Sequence, residues 1–350
     1  MGNNYYDNLT ELKKEYFKIL GEFPDFLNEY IETKEMQKQD GISVTCGTFY
    51  SKMFKDKIWW SSLDHSVAVA LIIWNFTGDK KQTLSGLFHD IATPCFKHSI
   101  DFMNGDAKRQ ESTELFTSDI IKNSKEIMAL LKRDGIELSE VDDYKKYPIA
   151  DNKSPRLSAD RLEYTFSNGL GATKKITDLS TIKEIYDDLF VGANEDGELE
   201  LSFKNIETAN KFVSIMSELS STYIDPKHKF SMQYLGDVIK ELILNNVITT
   251  DDLYTMSDDD IISIIEKCKL RDVNKSFEIW QRSDSVYESD YKLIDRYCAC
   301  VEPKIRYIDP LVYSVNDFKR VSNISKSASN DIEKAKNYKT KKYIYSNFKF

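Results

Sequence analysis

The sequence predicts an all-α protein. Three observations carry that expectation: apolar residues recur at three- and four-residue spacing along most of the chain, strand-like alternation is scarce, and Gly and Pro are few, 13 and 7 of 350 residues. With 41% hydrophobic and 30% charged residues, the chain is expected to bury a large core, in one big domain or two.

The periodic stretches follow in order. "NLTELKKEYFKILGEF" (8–23), "HSVAVALIIWNFTG" (65–78), "KQTLSGLFHD" (81–90) and "SDIIKNSKEIMALLKRDG" (118–135) each read as an amphipathic or buried helix. Pro94 forces a break just after His89 and Asp90, which places that pair at a helix end where side chains can converge. In "SPRLSADRLEYTFSNG" a Ser precedes an apolar run, so Asp160 is displayed from the start of a helix. "VGANEDGELELSF" (191–203), rich in Gly, Asn and acids, reads as a hairpin or as an insertion between two helical parts. "LYTMSDDDIISIIEKCK" (253–269) opens with Ser257 and three acids, a helix start whose carboxylates complement the dipole. From Ser325 the chain carries seven lysines against Asp331 and Glu333, the pattern of a basic, mobile tail. The expected organisation is therefore a core at 1–180, a mostly helical accessory region at 181–324 and a tail at 325–350.

Charge and composition narrow the function classes. The net charge of −9 disfavours stable nucleic-acid binding over the whole surface. The longest apolar run, "SVAVALIIW" (66–74), is far short of the roughly 20 residues of a membrane span. The start has no apolar signal region, and "MGNNYY" lacks the Ser or Thr of a myristoylation site, so a cytoplasmic protein with no membrane partner is expected. Five cysteines without framework spacing (Cys46, Cys95, Cys268, Cys298, Cys300) argue against a disulfide scaffold, and "CAC" at 298–300 lacks partners for a metal site.

The chain has only four histidines, and His89 and His98 fall within "GLFHDIATPCFKHSIDF" (86–102), with His65 shortly upstream. His65, His89, Asp90 and Asp160 make an O/N donor set suited to one divalent ion, with Mn, Fe, Mg, Zn, Co and Ni as candidates. The alternative is a set of satisfied core imidazoles, and Asp151 is the substitute should Asp160 lie elsewhere.

"LDHS", "GLFHDIATPCFKHSIDF", "QESTE" and "ADRLEYT", in this order, resemble the signature of the HD superfamily of metal-dependent phosphohydrolases, in particular its deoxynucleoside triphosphate triphosphohydrolase branch. "LYTMSDDDIISII" and "KIRYIDPLV" are weaker echoes of that branch. The resemblance implies an all-helical HD-domain core, and His65, His89, Asp90 and Asp160 as ligands of one divalent metal. It also implies a nucleotide substrate, a deoxynucleoside triphosphate first; a homo-oligomer is compatible with it. His98 matches a pocket-wall histidine of the branch, and reads equally as a helix-capping or core residue. The branch carries histidines where this chain has Thr93 and Gln110, neither of which is an acid or base at neutral pH. Those two become substrate-facing positions, and Glu111 the acid-base candidate. Asp101, Asp106 and Glu114 are weaker acids for that role. Asp64 either orients water or caps its helix. Arg161 is the chosen phosphate-gripping cation, ahead of Lys97, Lys108 and Arg109. The loss of both histidines keeps two other readings open: a phosphodiesterase acting on cyclic or linear oligonucleotides, and a nucleotide-binding regulator with little turnover.

Overall fold

The computed structural model describes residues 5–55, 58–111, 116–314 and 317–348; the Gly2 start and Glu114 lie outside them. The central element is the helix Ser62–Thr77. Ser61 and Asp64 close a capping box at its start, and Gly78, at φ 61°, ends it. Every residue from Ser62 to Ile73 is buried, the pattern of a helix apolar on all sides. The helix Lys80–Phe88, capped by Asp79, folds back along it. Gly86 permits the close approach, since a Cβ there would stand 2.2 Å from Ile73 Cδ1. The helix Ala159–Ala172, capped by Ser158, packs on the same central helix and in turn against Ile206–Tyr223.

The stretch 118–135 forms two helices, Thr117–Asn123 and Lys125–Arg133, where one was expected. Ser124 leaves helical geometry at ψ 110° and spends its hydroxyl capping Ile127 N.

The protein is mostly helical rather than all-α. The 191–203 stretch is a hairpin, Leu189–Ala193 paired antiparallel with Leu199–Phe203, and Leu311–Ser314 adds to it in parallel, followed by Asp317–Arg320. A second small sheet places Tyr343–Tyr345 between Tyr287–Ser289 and Cys298–Ala299. Strands of two to five residues are too short for alternation to register in the sequence. Residues 325–348 likewise differ from the expected mobile tail: Lys326–Lys336 is a helix that buries Ala328, Ile332 and Ala335, and Tyr343–Tyr345 is the central strand of its sheet. Lys326, Lys334 and Lys336 occupy the wet face of that helix, so the charge count concealed a buried apolar stripe.

Nor does the apolar core divide at residue 180. The larger cluster runs from Tyr5 to Ile332, and the smaller joins Cys95, Phe96 and Ile100 to residues 230–348. No helix among the described residues is long and apolar enough to cross a membrane.

Within the smaller cluster, the helix His98–Met103 lies on Pro226–Leu244. Gly236 makes that contact close: a Cβ there would meet Ser99 O at 2.8 Å and Met103 N at 2.9 Å, backbone atoms that cannot rotate aside. Gly236→Ala is expected to lower stability in urea unfolding by about 1–3 kcal/mol of overpacking, even though Ala is favoured over Gly by about 1 kcal/mol in a helix interior. Equal or greater stability would show that the helices separate without cost.

Candidate metal centre

His65 enters from the first turn of the Ser62–Thr77 helix, His89 and Asp90 from the end of Lys80–Phe88, and Asp160 from the first turn of Ala159–Ala172. His65 Nε2 lies 3.2 Å from His89 Nε2 and 3.2 Å from Asp160 Oδ1. Asp90 Oδ2 stands 3.9 Å from His65 Nε2 and 3.8 Å from His89 Nε2, and Asp160 Oδ1 is 3.9 Å from His89 Nε2. Ligands about 2.1 Å from a divalent ion are roughly 3.0 Å apart at right angles and roughly 3.4 Å apart in a tetrahedron. His65, His89 and Asp160 match such a shell, and Asp90 is set slightly back, its Oδ2 drawn 2.6 Å from Lys97 Nζ.

Hydrogen bonding decides which atoms face this point. His89 Nδ1 is 2.7 Å from Gly86 O, and a carbonyl only accepts, so Nδ1 carries the proton and Nε2 the lone pair. His65 Nδ1 donates in the same way to Glu163 Oε2. With both Nδ1 atoms spent on acceptors, the two Nε2 atoms face each other and two carboxylates, a point where a proton or a metal cation balances the charge. Burial pushes the His65 imidazole down, but the Glu163 and Asp160 carboxylates outweigh it and raise it to about 10, so the pocket stabilises positive charge there. The mixed N/O set fits a Mn-, Fe-, Co-, Ni- or Zn-class ion. Asp151 is not needed, being paired with Arg161 at 3.1 Å.

The centre opens into a cavity of about 430 Å³, within the usual range for small-molecule sites. All four histidines line it, His228 included. His98 begins its helix with Nδ1 2.9 Å from Asp101 Oδ2 and Nε2 3.5 Å from Arg306 Nη2. Burial pushes its imidazole down and outweighs the pull of Asp101, leaving a neutral ring in the wall. Glu111 lies exposed on the cavity lining, its N donating to Asp106 Oδ2 at 3.0 Å. Thr93 and Gln110 are buried, and both touch a small recess beside His89 and Asp90.

For Asp64 the capping reading holds over the water-orienting one, and the role expected of Arg161 changes. Asp64 does not line the cavity: it caps its helix and accepts from Tyr5 Oη at 2.7 Å and Lys13 Nζ at 2.6 Å, so capping is its role. Arg161 does line it, but its guanidinium is engaged by the 151–158 loop, through Asn152 Oδ1, Asn152 O and Asp151. The cations better placed for phosphate are Lys97 and Arg306. Lys97 is 8% exposed, sits at φ 41° after Phe96 at φ 60°, and bonds Asp90 and Ser62. Such φ values are strained for non-glycine residues and are kept only by firm surroundings. Buried Asp258 supplies part of that hold, accepting Phe96 N at 2.8 Å and Ser43 N at 3.0 Å. Burial pushes its carboxyl up to about 7. The acidic run therefore does more than complement a dipole, although Asp260 does close a capping box with Ser257.

Arg306 and Glu163 are absent from the sequence reading. Glu163 had a signal: it is three residues after Asp160, on the same helix face. Arg306 lies in the "KIRYIDPLV" echo, but its place at the cavity is set by Lys304 N bonding Ala107 O at 3.1 Å and Asp309 N bonding Pro155 O at 2.8 Å, two pins that hold 303–309, of which 303–307 line the cavity.

No family model matches the chain. It is 24% identical over 321 residues to the uncharacterized protein YdhJ of Bacillus subtilis, covering 91% of this chain and 93% of the relative. It is 21% identical over 295 residues to the metal-dependent phosphohydrolase cns2 of Cordyceps militaris, covering 82% and 80%. A crystal structure of a hypothetical protein from Aquifex aeolicus shares the fold, with a TM-score of 0.66 over 92% of each chain at 16% identity.

Since Glu163 fixes the His65 ring, Glu163→Gln is expected to weaken Mn²⁺ binding by roughly tenfold or more in calorimetry, the range for a group that orients a metal-binding histidine. The far-ultraviolet dichroism should stay unchanged. An unaltered affinity would mean that His65 is held by packing alone.

Proposed function

We propose that this chain is an HD-type metal-dependent phosphohydrolase acting on a nucleotide, with a deoxynucleoside triphosphate as the favoured substrate. The observation that carries the reading is the meeting of the His65 and His89 Nε2 atoms with Asp160 Oδ1, 3.2–3.9 Å apart, with Asp90 beside them. The distant likeness to a metal-dependent phosphohydrolase agrees with it. A divalent ion held there supplies Lewis acidity to a phosphoryl oxygen and a lowered pKa to water.

The chain's own groups supply the rest. Lys97, held at Asp90, and Arg306, beside His98, bring positive charge to the cavity lining where phosphate oxygens would lie. Tyr144, Tyr164, Tyr223 and Tyr307 line the same cavity and offer aromatic faces to a base. Glu111, at the exposed edge, is positioned to give a proton to a leaving oxygen that projects toward solvent. His98, neutral and tied to Asp101, shapes the wall and accepts from Arg306.

The test is a panel of nucleotides and metals followed by phosphorus NMR. Tripolyphosphate from a deoxynucleoside triphosphate is the expected product; inorganic phosphate would make the chain a phosphatase, cleavage of cyclic or oligonucleotides a phosphodiesterase, and binding without turnover a regulator. Asp90→Ala is expected to bring turnover to the buffer rate with the helical signal retained, and equal activity would end the enzyme reading. Glu111→Gln is expected to lower kcat about 100-fold at saturating metal, the low end of general acid-base contributions. A fall below about threefold would make Glu111 scaffolding.

A further inference from the structure

We infer that Gln110, with Thr93, holds the attacking water of this reaction in a small recess beside the metal centre, by accepting hydrogen bonds from it rather than by taking its proton. The inference rests on the phosphohydrolase reading above.

The recess measures about 30 Å³ and is lined by His89, Asp90, Ala92, Thr93, Lys97, His98 and Gln110. A cavity needs about 10–15 Å³ to hold a water, so there is room for at least one. All of these residues but Ala92 and Thr93 also line the large cavity, so the recess adjoins the space for substrate. Gln110 is 4% exposed, and its Oε1 is buried with no hydrogen-bond partner among the described residues. Leaving such an oxygen unsatisfied costs about 1–3 kcal/mol. The backbone there is also at φ 61°, tied down by Gln110 N bonding Asp106 O at 2.8 Å. A glutamine at positive φ is uncommon and costs about 1–3 kcal/mol. A buried, strained residue with an unmet acceptor on a polar recess is poorly explained by folding alone. A ligand that donates a hydrogen bond explains it.

Water is the donor that fits. Gln110 Oε1 and Thr93 Oγ1 would each accept one of its hydrogens, which turns an oxygen lone pair out of the recess toward the cavity. Lys97 has three N–H donors, of which Asp90 Oδ2 and Ser62 Oγ take two, leaving one for a phosphoryl oxygen on the line of attack. In the step, the water lone pair forms the new O–P bond while the P–O bond to the leaving group breaks, its electron pair staying on the leaving oxygen. One water proton remains on the new P–OH and the other passes to solvent, while Glu111 gives the leaving oxygen its proton and is reprotonated from solvent. Gln110 neither gains nor loses a proton, so orientation does the work that a base would otherwise do.

Gln110→Met keeps the size of the side chain and removes the acceptor; Gln110→Glu keeps both shape and acceptor. With Mn²⁺ bound, Gln110→Met is expected to lower kcat about 100-fold, the cost of a misplaced reactant, with KM and the Mn²⁺ dissociation constant changed less than about threefold, below even the tenfold seen for groups that orient metal ligands. Gln110→Glu should recover most of the loss. Crystals of the Mn²⁺ form should show ordered solvent within hydrogen-bond distance of Gln110 Oε1, and the Gln110→Met crystals should lack it. An active wild type with an unimpaired Gln110→Met overturns the inference and leaves the phosphohydrolase reading standing. So does a rise in KM at constant kcat, which would make Gln110 a substrate contact. A wild type that turns over no phosphate ester with any metal overturns both. Should Gln110→Met fail to fold, Thr93→Val removes the other acceptor from the same recess and carries the same expectation.

Discussion

Two imidazoles whose Nε2 atoms face each other at 3.2 Å are the constraint on which the rest of this structure turns. The contact persists because each ring spends its other nitrogen elsewhere, on Glu163 and on Gly86 O. Glu163 is itself braced, with Tyr16 Oη donating to it at 3.1 Å and Ser167 Oγ at 3.3 Å. Tyr16 comes from the helix Glu11–Leu20, which also sends Lys13 to Asp64, one residue before His65. An element remote from the centre in sequence thus fixes the ring that anchors it.

The surrounding charge is arranged around the same need. Asp90 is held well below the usual carboxylate range, against the effect of burial, by Lys97, His89 and His65. Lys97 is raised in return, burial being outweighed by Asp90. The lysine bonds Asp90 from a left-handed Phe96–Lys97 backbone, and Phe96 N is held there by Asp258, which also holds Ser43 N. The loop that shapes the centre runs from Ile91 in the larger hydrophobic cluster to Cys95 and Phe96 in the smaller.

Contacts distant in the chain also fix another part of the cavity wall. The strand Leu311–Ser314 joins the hairpin in parallel, and Arg320 bonds Glu200 at 2.6 Å, so the segment leading into the sheet is fixed. Its pins to Ala107 and Pro155 then hold 303–309, of which 303–307 line the cavity. Arg306 arrives by this route beside His98, more than 200 residues away in the chain.

The sequence by itself determined the local features: most of the helices with their caps, and the 191–203 hairpin among its alternatives. These follow from spacing and capping residues that act within a few residues of the chain, whereas His65, His89, Asp90 and Asp160 were joined into one donor set by the family resemblance. Tertiary structure alone decided that Asp64 is a capping group and that Arg161 serves its own loop. It also decided that Lys97 and Arg306 face the cavity, that the lysine-rich end is built into the core, and that Gln110 keeps an unmet acceptor beside the histidines. Some of these partners are near in the chain, as Asn152 is to Arg161 and Asp90 to Lys97, and others are far, as His98 is from Arg306, but which of them a side chain meets is set by packing that leaves no period or spacing in the sequence to read.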